Sequence, residues 1–219
     1  MTHEKSGCTA SFALHGLGGV GKTQIAIRYA YLHKTDFDIM CWLQANDWNT
    51  LVTSYVELSR DSKLTYVGVP AFEDGLDNAV IADQIKQWFE KQGSLKWLVI
   101  FDNVDRIVDP NGSRSVVKLI PRGENGCVLS TSRNRASDGK LASKGYEVVE
   151  MAESEAVHFL HHCSRIQGSE SDVEAKNIVQ ILGYLPLAIE QAGSYIRTMK
   201  ISISCYMSLY ELNKSEALK

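Results

Sequence analysis

The octapeptide at residues 16–23 constrains the fold of this chain more than any other part of the sequence. Its sequence is Gly-Leu-Gly-Gly-Val-Gly-Lys-Thr, which matches the pattern G-x-x-x-x-G-K-[ST] in full. Glycines let the backbone wrap so closely that successive N–H groups point at phosphate oxygens, and a following helix adds the positive end of its dipole. The octapeptide therefore predicts a phosphate-binding loop, provided that a buried strand precedes it and a helix follows it.

The residues of this loop have separate candidate roles. Lys22 would supply a mobile cation to the β- and γ-phosphates, and the Thr23 hydroxyl would bind Mg²⁺. The residues expected to contact the nucleotide are Gly16, Leu17, Gly18, Gly19, Val20, Gly21, Lys22, Thr23 and Gln24. His15, directly before the loop, is expected only to finish the strand. The alternative is a chance glycine-rich turn.

Both flanks of the loop favour the phosphate-binding interpretation. Residues 8–15 are small and apolar enough for a central strand that is buried on both faces of a parallel sheet. The downstream residues that recur with the spacing of one helix face are Ile25, Ala26, Tyr29 and Ala30. A strand and a helix are therefore expected on either side of the octapeptide.

Composition places the chain among ordinary globular proteins. It has 219 residues, of which 44% are hydrophobic and 22% charged, enough for one large or two small domains. A net charge of −3 leaves no basic footprint, so we expect no nucleic-acid partner. No segment approaches the ~18 apolar residues of a membrane span, and the five cysteines form no C-x-x-C pair. We expect a cytoplasmic protein with reduced thiols, no membrane partner and no metal at residues 161–163.

Strands and helices alternate in the first two thirds of the chain. The candidate strands are residues 8–15, 39–44, 95–101, 127–131 and 146–150, with a helix capped by Asp47 after the second of them. This alternation predicts a parallel, doubly wound sheet. From Ser154 onward the apolar spacing is helical throughout. We therefore predict a nucleotide-binding domain over residues 1–151 and a helical subdomain over residues 152–219.

Asp102 is the candidate that holds the metal from the opposite side. It stands at the C-terminal end of the apolar run 95–101, at the edge where ligands bind in open α/β sheets. A carboxylate at that edge can bind Mg²⁺ directly or through a water. The alternative is that Asp102 only starts a turn with Asn103.

The neighbouring Asn103 favours slow hydrolysis. In many ATPases of this architecture an acidic residue at this position orients or deprotonates the attacking water. An amide can hydrogen-bond a water but cannot accept its proton, so a rate contribution of ~10²–10⁴ is expected to be absent. Asp105 either takes over that catalytic role or is an exposed turn residue.

Arg133 is the candidate sensor of the γ-phosphate. It follows the fourth candidate strand, which places its guanidinium at the same rim of the sheet as the phosphate loop. The planar guanidinium can bind two phosphate oxygens and stays charged at physiological pH. Arg135 is the competing choice, and a solvated basic turn is the alternative.

Four segments occur in the order seen in NB-ARC domains. They are residues 16–23, 97–105 (Trp-Leu-Val-Ile-Phe-Asp-Asn-Val-Asp), 130–133 (Ser-Thr-Ser-Arg) and 183–188 (Gly-Tyr-Leu-Pro-Leu-Ala). The chain strongly resembles this family over nearly its whole length, and its motifs look closest to filamentous-fungal members. NB-ARC domains are the nucleotide-binding modules of NLR-type immune receptors and apoptosis activators, within the AAA+-like STAND ATPases. The last motif is the most diagnostic, and it differs only in Tyr184, where the family has Leu.

The resemblance implies a fold and one further site residue. The fold would be an α/β P-loop NTPase with a three-layer parallel sheet of order 2-3-4-1-5, followed by a small all-helical, ARC1-like subdomain. Pro186 would contact the adenine end of the nucleotide, although a plain helix-initiating proline is the alternative. An upstream G-R-E-like segment and a winged-helix domain with its M-H-D histidine are absent from the sequence. We therefore expect a fragment of a longer protein that binds nucleotide loosely.

The expected function is an ATP/ADP-binding molecular switch with slow, Mg²⁺-dependent ATP hydrolysis. Its catalytic residues would be Lys22, Asp102, Asp105 and Arg133. The resemblance implies an NLR-type receptor of innate immunity or programmed cell death, similar to fungal incompatibility proteins. Its partners would be an adenine nucleotide, flanking domains and like subunits that form a homo-oligomer on activation. The alternatives are a turnover AAA-type ATPase and a nucleotide-free interaction scaffold.

Overall fold

The computed structural model describes residues 9–72, 75–106, 115–135, 141–168 and 172–217, with side chains as far as residue 212. The chain divides into two compact units. The first consists of Met1–Gly16 and Lys22–Glu147, and the second of Leu17–Gly21 and Val148–Lys219. Most of the phosphate loop is therefore grouped with the C-terminal part of the chain. The predicted domain limits, residues 1–151 and 152–219, remain a prediction.

A five-stranded parallel sheet forms the centre of the first unit. Its strands are β1 (Ala10–His15), β2 (Ile39–Gln44), β3 (Trp97–Asp102), β4 (Gly126–Ser132) and β5 (Lys144–Glu147). They lie in the order β2-β3-β4-β1-β5, and all neighbouring pairs are parallel. The sheet order that the family resemblance implies is confirmed. The fold is an α/β P-loop NTPase fold.

Strand β3 is buried along its whole length because helices cover both faces of the sheet. Val99 and Phe101 point into one apolar cluster, whereas Leu98 and Ile100 point into a second cluster on the opposite face. The Trp97 indole is also fully buried, packs against Gly126, and has no hydrogen-bond partner for Nε1 within the described residues. The near-continuous apolar sequence of this segment is thus explained by its position in the middle layer.

The helices of the first unit are α1 (Lys22–Leu32), α2 (Trp48–Arg60), α3 (Ser62–Tyr66) and α4 (Asn78–Glu90), with a 3-10 turn at Val116–Leu119. Helices α2, α3 and α4 each follow an aspartate that accepts hydrogen bonds from their first N–H groups. The Asp47 carboxylate accepts a hydrogen bond from the Thr50 N–H at 2.9 Å, so the predicted cap is confirmed. Asp61 and Asp77 cap α3 and α4 in the same way.

Two local predictions differ from the structure. Ile25 was placed on one face of α1 together with Ala26, Tyr29 and Ala30, but Ile25 is 44% exposed, whereas Ala26 is buried and Tyr29 and Ala30 pack against the same apolar cluster. The last strand was expected at residues 146–150, whereas β5 spans Lys144–Glu147. This strand lies at the edge of the sheet and is mostly exposed. The pattern of apolar residues therefore predicts its first and last residues poorly.

The second unit is helical in its described residues, apart from loop residues. Its helices are α5 (Glu153–Ser164), α6 (Val173–Ile181), α7 (Pro186–Met199) and α8 (Ile203–Ala217). They share one apolar core, which includes Val157, Leu160, Ile178, Ile189 and Ile196. This unit therefore has its own core, as a separate structural subdomain requires.

The lengths and apolarity of the helices bear on membrane insertion. Among the described residues, no helix is both long enough and apolar enough to cross a lipid bilayer.

Candidate nucleotide-binding site

The loop between β1 and α1 requires glycine at several positions. Gly19 and Gly21 have φ angles of 80° and 98°, in the left-handed region that side chains disfavour. A Cβ atom at Gly21 would meet nothing within 4 Å, so the requirement there is conformational and not steric. The octapeptide thus forms a strand–loop–helix connection with a left-handed backbone, which is the context that the phosphate-binding interpretation demands.

Lys22 is the first residue of α1, and its side chain turns back toward Gly16, directly after β1. Its Nζ donates to the Gly16 carbonyl oxygen at 2.9 Å, and only 7% of the residue is exposed. Burial lowers the pKa of Lys22, and the nearby Arg133 lowers it further, whereas Asp105 and Asp102 raise it. A bound phosphate would favour the charged form of Lys22, because opposite charges attract more strongly where a side chain is shielded from water.

The two predicted magnesium ligands are in direct contact. Thr23 Oγ1 donates to Asp102 Oδ1 at 2.8 Å, and Asp102 is only 3% exposed at the end of β3. A hydroxyl and a carboxylate are hard oxygen donors, and Mg²⁺ in nucleotide sites binds one or two such groups together with phosphate oxygens and water. The residues present therefore fit a magnesium ion that arrives with a nucleotide.

Thr131 is a site residue to which the sequence interpretation gave no role. Its buried hydroxyl donates to Asp102 Oδ1 at 2.6 Å and accepts from the Asn103 N–H at 2.9 Å. Strand register could have identified it, because Phe101 lies opposite Ser130 in the β3–β4 pair, which places Thr131 beside Asp102. This threonine therefore orients the carboxylate and anchors the turn that follows β3.

Asn103 begins that turn with a left-handed backbone, φ 62°. Asparagine tolerates this conformation better than most residues with a side chain. The Val104 N–H then donates to the Thr131 carbonyl oxygen at 2.7 Å, and Ser132 Oγ donates to the Val104 carbonyl oxygen at 2.7 Å. Hydrogen bonds from β4 thus fix the course of the chain from Asp102 to Asp105.

Asp105 and Arg133, two of the predicted catalytic residues, form an ion pair. The backbone N–H of Arg133 donates to Asp105 Oδ1 at 2.7 Å, and the side-chain Nε of Arg133 lies 3.3 Å from Asp105 Oδ2. The Arg133 side chain is 70% exposed and that of Asp105 is 32% exposed. Arg135, the competing candidate, is also exposed. Within the described residues, the contact with Asp105 distinguishes Arg133 from Arg135.

In the second unit, Pro186 is the first residue of α7. It follows a turn in which Gly183 and Tyr184 have φ angles of 64° and 55°. The Leu187 N–H donates to the Gly19 carbonyl oxygen at 3.2 Å, so the start of α7 and the phosphate loop are joined within this unit. Proline at this position lacks only an N–H that would have no helical partner. Its contact with adenine stays a prediction.

Sequence comparison gives a curated relative of this chain. It is described as a nucleotide-binding leucine-rich repeat (NLR)-like protein from Hyaloscypha variabilis and is 33% identical over 215 residues. The match covers 91% of this chain. The similarity to an NLR-like protein supports the resemblance of this chain to NB-ARC/STAND-type domains. The chain spans about a fifth of that relative, since the match covers 21% of its length. No protein-family model matches the sequence.

Two solved structures with TM-scores above 0.5 support the fold of this chain. The Aeropyrum pernix ORC2 protein in its ADP form is 13% identical, with a TM-score of 0.52 over 91% of this chain and 62% of that one. Drosophila ORC bound to DNA is 10% identical, with a TM-score of 0.53 over 92% of this chain and 54% of that one. A STAND protein with a tetratricopeptide repeat sensor from Pyrococcus horikoshii is 18% identical, with a TM-score of 0.48 over 83% of this chain and 27% of that one.

Proposed function

We propose that this NB-ARC-like domain is an ATP- and ADP-binding switch that hydrolyses ATP slowly. The observation that carries the proposal is the contact between Thr23 and the buried Asp102, together with the contact of Lys22 with Gly16. Loop, lysine, hydroxyl and carboxylate are the parts that a P-loop site needs to hold a nucleotide with its cation. That the similar ORC2 structure is an ADP form supports the choice of an adenine nucleotide.

Each side chain has a defined task in this proposal. Lys22 binds the β- and γ-phosphates in place of the Gly16 carbonyl oxygen that it now contacts. Thr23 and Asp102 hold Mg²⁺, which would neutralise charge that develops on the phosphates when it is bound. Arg133 responds to the γ-phosphate, and Pro186 packs against the adenine end. The loop N–H groups of residues 16–24 bind the phosphate chain.

Slow hydrolysis follows from the residue after Asp102. Asn103 offers an amide, which can position a water but cannot take its proton. A positioned base contributes ~10²–10⁴ in rate, and an arginine finger a further ~10³–10⁵. A fast turnover ATPase, the main alternative, would need at least one of these contributions.

A switch also makes an energetic demand on the site. Moving a two-state equilibrium from 1:99 to 99:1 needs ~5.5 kcal/mol of differential binding. One exposed arginine does not supply this amount, so Lys22, the cation and Arg133 must act together on the γ-phosphate. The nucleotide-free scaffold, the second alternative, does not explain why all of these groups are retained.

The role of the full-length protein is inferred from the NLR-like relative. We propose a receptor of innate immunity or programmed cell death in the cytoplasm, whose subunits assemble when the switch changes state. A tetratricopeptide sensor is described for the Pyrococcus horikoshii STAND protein, and a leucine-rich repeat for the relative. The partners in this proposal are flanking domains and like subunits, and no nucleic acid or membrane.

Nucleotide analysis of the purified chain tests the proposal. Denatured protein should release ADP on chromatography, and steady-state ATPase activity with Mg²⁺ should be far below one turnover per second. Lys22→Ala should weaken ADP binding about 10- to 100-fold, because it removes a charged hydrogen bond to phosphate. Lys118→Ala changes an exposed lysine outside the loop and is the matched control. Turnover of many per second contradicts the switch, and failure of the unmodified chain to bind ATP or ADP at micromolar concentration favours the scaffold.

A further inference from the structure

We propose that Asp105 competes with the nucleotide for the Arg133 guanidinium and thereby sets how strongly this domain prefers ATP over ADP. This inference rests on the proposed nucleotide-binding function. In it Asp105 is a positioning residue, which acts on the phosphates through Arg133 and does not itself handle the attacking water.

The contact between the two residues uses both carboxylate oxygens. Oδ1 accepts the backbone N–H of Arg133 at 2.7 Å, while Oδ2 faces the side-chain Nε at 3.3 Å. The first contact fixes the carboxylate to the backbone just after β4. The second holds the guanidinium close to the carboxylate through its Nε atom. Because both oxygens already face Arg133, Asp105 is poorly placed to take a proton from water.

The turn after β3 makes this contact a built feature of the site. Asp105 follows Val104, which is fully buried and bonded through its N–H and carbonyl oxygen to Thr131 and Ser132. The Asp105 N–H also donates to the Asn103 carbonyl oxygen at 2.8 Å. The position of the carboxylate is therefore set by the sheet, although the guanidinium that it holds is 70% exposed.

The ion pair also lies within electrostatic range of the phosphate-binding lysine. After burial, Asp105 is the charged group with the largest effect on the pKa of Lys22, and Arg133 acts on it in the opposite direction. An anion bound at Lys22 would therefore attract Arg133 and repel Asp105. In the proposed function Arg133 contacts only the γ-phosphate, which ADP lacks. The competition should therefore change the affinity for ATP and leave the affinity for ADP nearly unaffected.

The size of the effect follows from the exposure of the pair. Exposed ion pairs contribute little, since water and salt screen them. Releasing Arg133 from Asp105 should therefore raise the affinity for a triphosphate by about two- to fivefold.

The test compares Asp105→Asn with the unmodified chain. The variant keeps a side-chain oxygen for the Arg133 N–H but loses the negative charge. Calorimetry with Mg²⁺ would give the dissociation constants for ADP and for a hydrolysis-resistant ATP analogue with an imido bridge. We expect the analogue to bind about two- to fivefold more tightly and ADP to change less than twofold. Asp105→Ser, which also retains a short acceptor, provides the same comparison if Asp105→Asn folds poorly.

A second background separates competition from simple charge repulsion. In Arg133→Gln, Asp105→Asn should no longer improve binding of the analogue, because there is no guanidinium to release. An equal gain in both backgrounds, or an unchanged ratio of ATP-analogue to ADP affinity, overturns the inference while ADP binding upholds the proposed function. Absence of ADP binding by the unmodified chain overturns both.

Discussion

At the scale of single residues, one carboxylate oxygen accepts hydrogen bonds from the hydroxyl groups of two different segments. Asp102 Oδ1 accepts from Thr23 at the start of α1 and from Thr131 at the end of β4. The two hydroxyls have different functions in the proposed site. Thr23 would turn to the cation, whereas Thr131 also accepts the Asn103 N–H and so remains part of the protein framework. The orientation of Asp102 therefore depends on Thr131.

Replacement of Thr131 by valine tests this dependence. Thr131→Val keeps the shape of the side chain but leaves the buried Asp102 and the Asn103 N–H each without one partner. We expect the free energy of unfolding to fall by about 1–3 kcal/mol, the cost of unsatisfied buried polar groups, as measured by urea denaturation. Thr131→Ser retains the hydroxyl and is the matched control. Equal stability of the two variants would show that the hydroxyl does not support the carboxylate.

Asn103→Asp tests the explanation of slow hydrolysis. The substitution places a carboxylate where the amide stands and is compatible with the left-handed backbone, because aspartate also tolerates it. We expect faster steady-state ATP hydrolysis, with ~10²-fold as the lower end of the range for a positioned base. Asn103→Gly, which suits the same backbone without a side chain, is the control. If both variants hydrolyse ATP at the same rate, the acid at this position does not act as a base.

At the scale of elements, the sequence predicts a strand or helix best where burial is complete. Strand β3 was predicted at residues 95–101 and is found at Trp97–Asp102, since an apolar segment between two layers has little freedom. The ends of edge strand β5 and the grouping of Ile25 with the sheet-facing residues of α1 were predicted less well, because solvent-facing positions constrain the residue type weakly. Thr131 was missed because its role depends on a partner 29 residues away in the chain.

The packing of α7 against α5 gives a prediction at the same scale. A Cβ atom at Gly193 in α7 would lie 2.5 Å from Cys163 Cβ in α5. Alanine would favour the helix by about 1 kcal/mol, but the overlap would cost about 1–3 kcal/mol. We expect Gly193→Ala to lower the urea midpoint, and Thr198→Ala, at an exposed position of α7, to leave it unchanged or raise it. Equal midpoints would mean that the helices can separate without loss.

At the scale of the whole molecule, the first unit carries thiols on two strands of its sheet, of which Cys41 is buried and Cys127 is partly buried. Burial raises the pKa of Cys41 in β2 to about 12 and that of Cys127 in β4 to about 11, from 9.0 in each case. Above pH 9 the unfolded chain loses these protons while the folded chain keeps them. The folded state then binds more protons, so its stability falls as the pH rises.

Denaturation in urea at pH 8, 9 and 10 measures this effect. The free energy of unfolding should decrease most steeply between pH 9 and 10, with each of the two thiols contributing a limiting slope of about 1.4 kcal/mol per pH unit. Cys41→Ala removes one of the two thiols, so its slope should be smaller even though its stability at pH 8 is also lower. Identical slopes for the variant and the unmodified chain would contradict the assignment of this pH dependence to Cys41.

The buried indole of Trp97 gives the sheet an optical signal of its own. Its ring is shielded from water on every side and its Nε1 has no hydrogen-bond partner within the described residues, so its fluorescence should be emitted at short wavelength. Unfolding of the sheet would expose the Trp97 ring to water and shift its emission to longer wavelength. A spectrum of Trp97→Phe subtracted from that of the unmodified chain would isolate this one chromophore. Unfolding of the nucleotide-binding unit can therefore be followed by light alone, without a label and without a nucleotide.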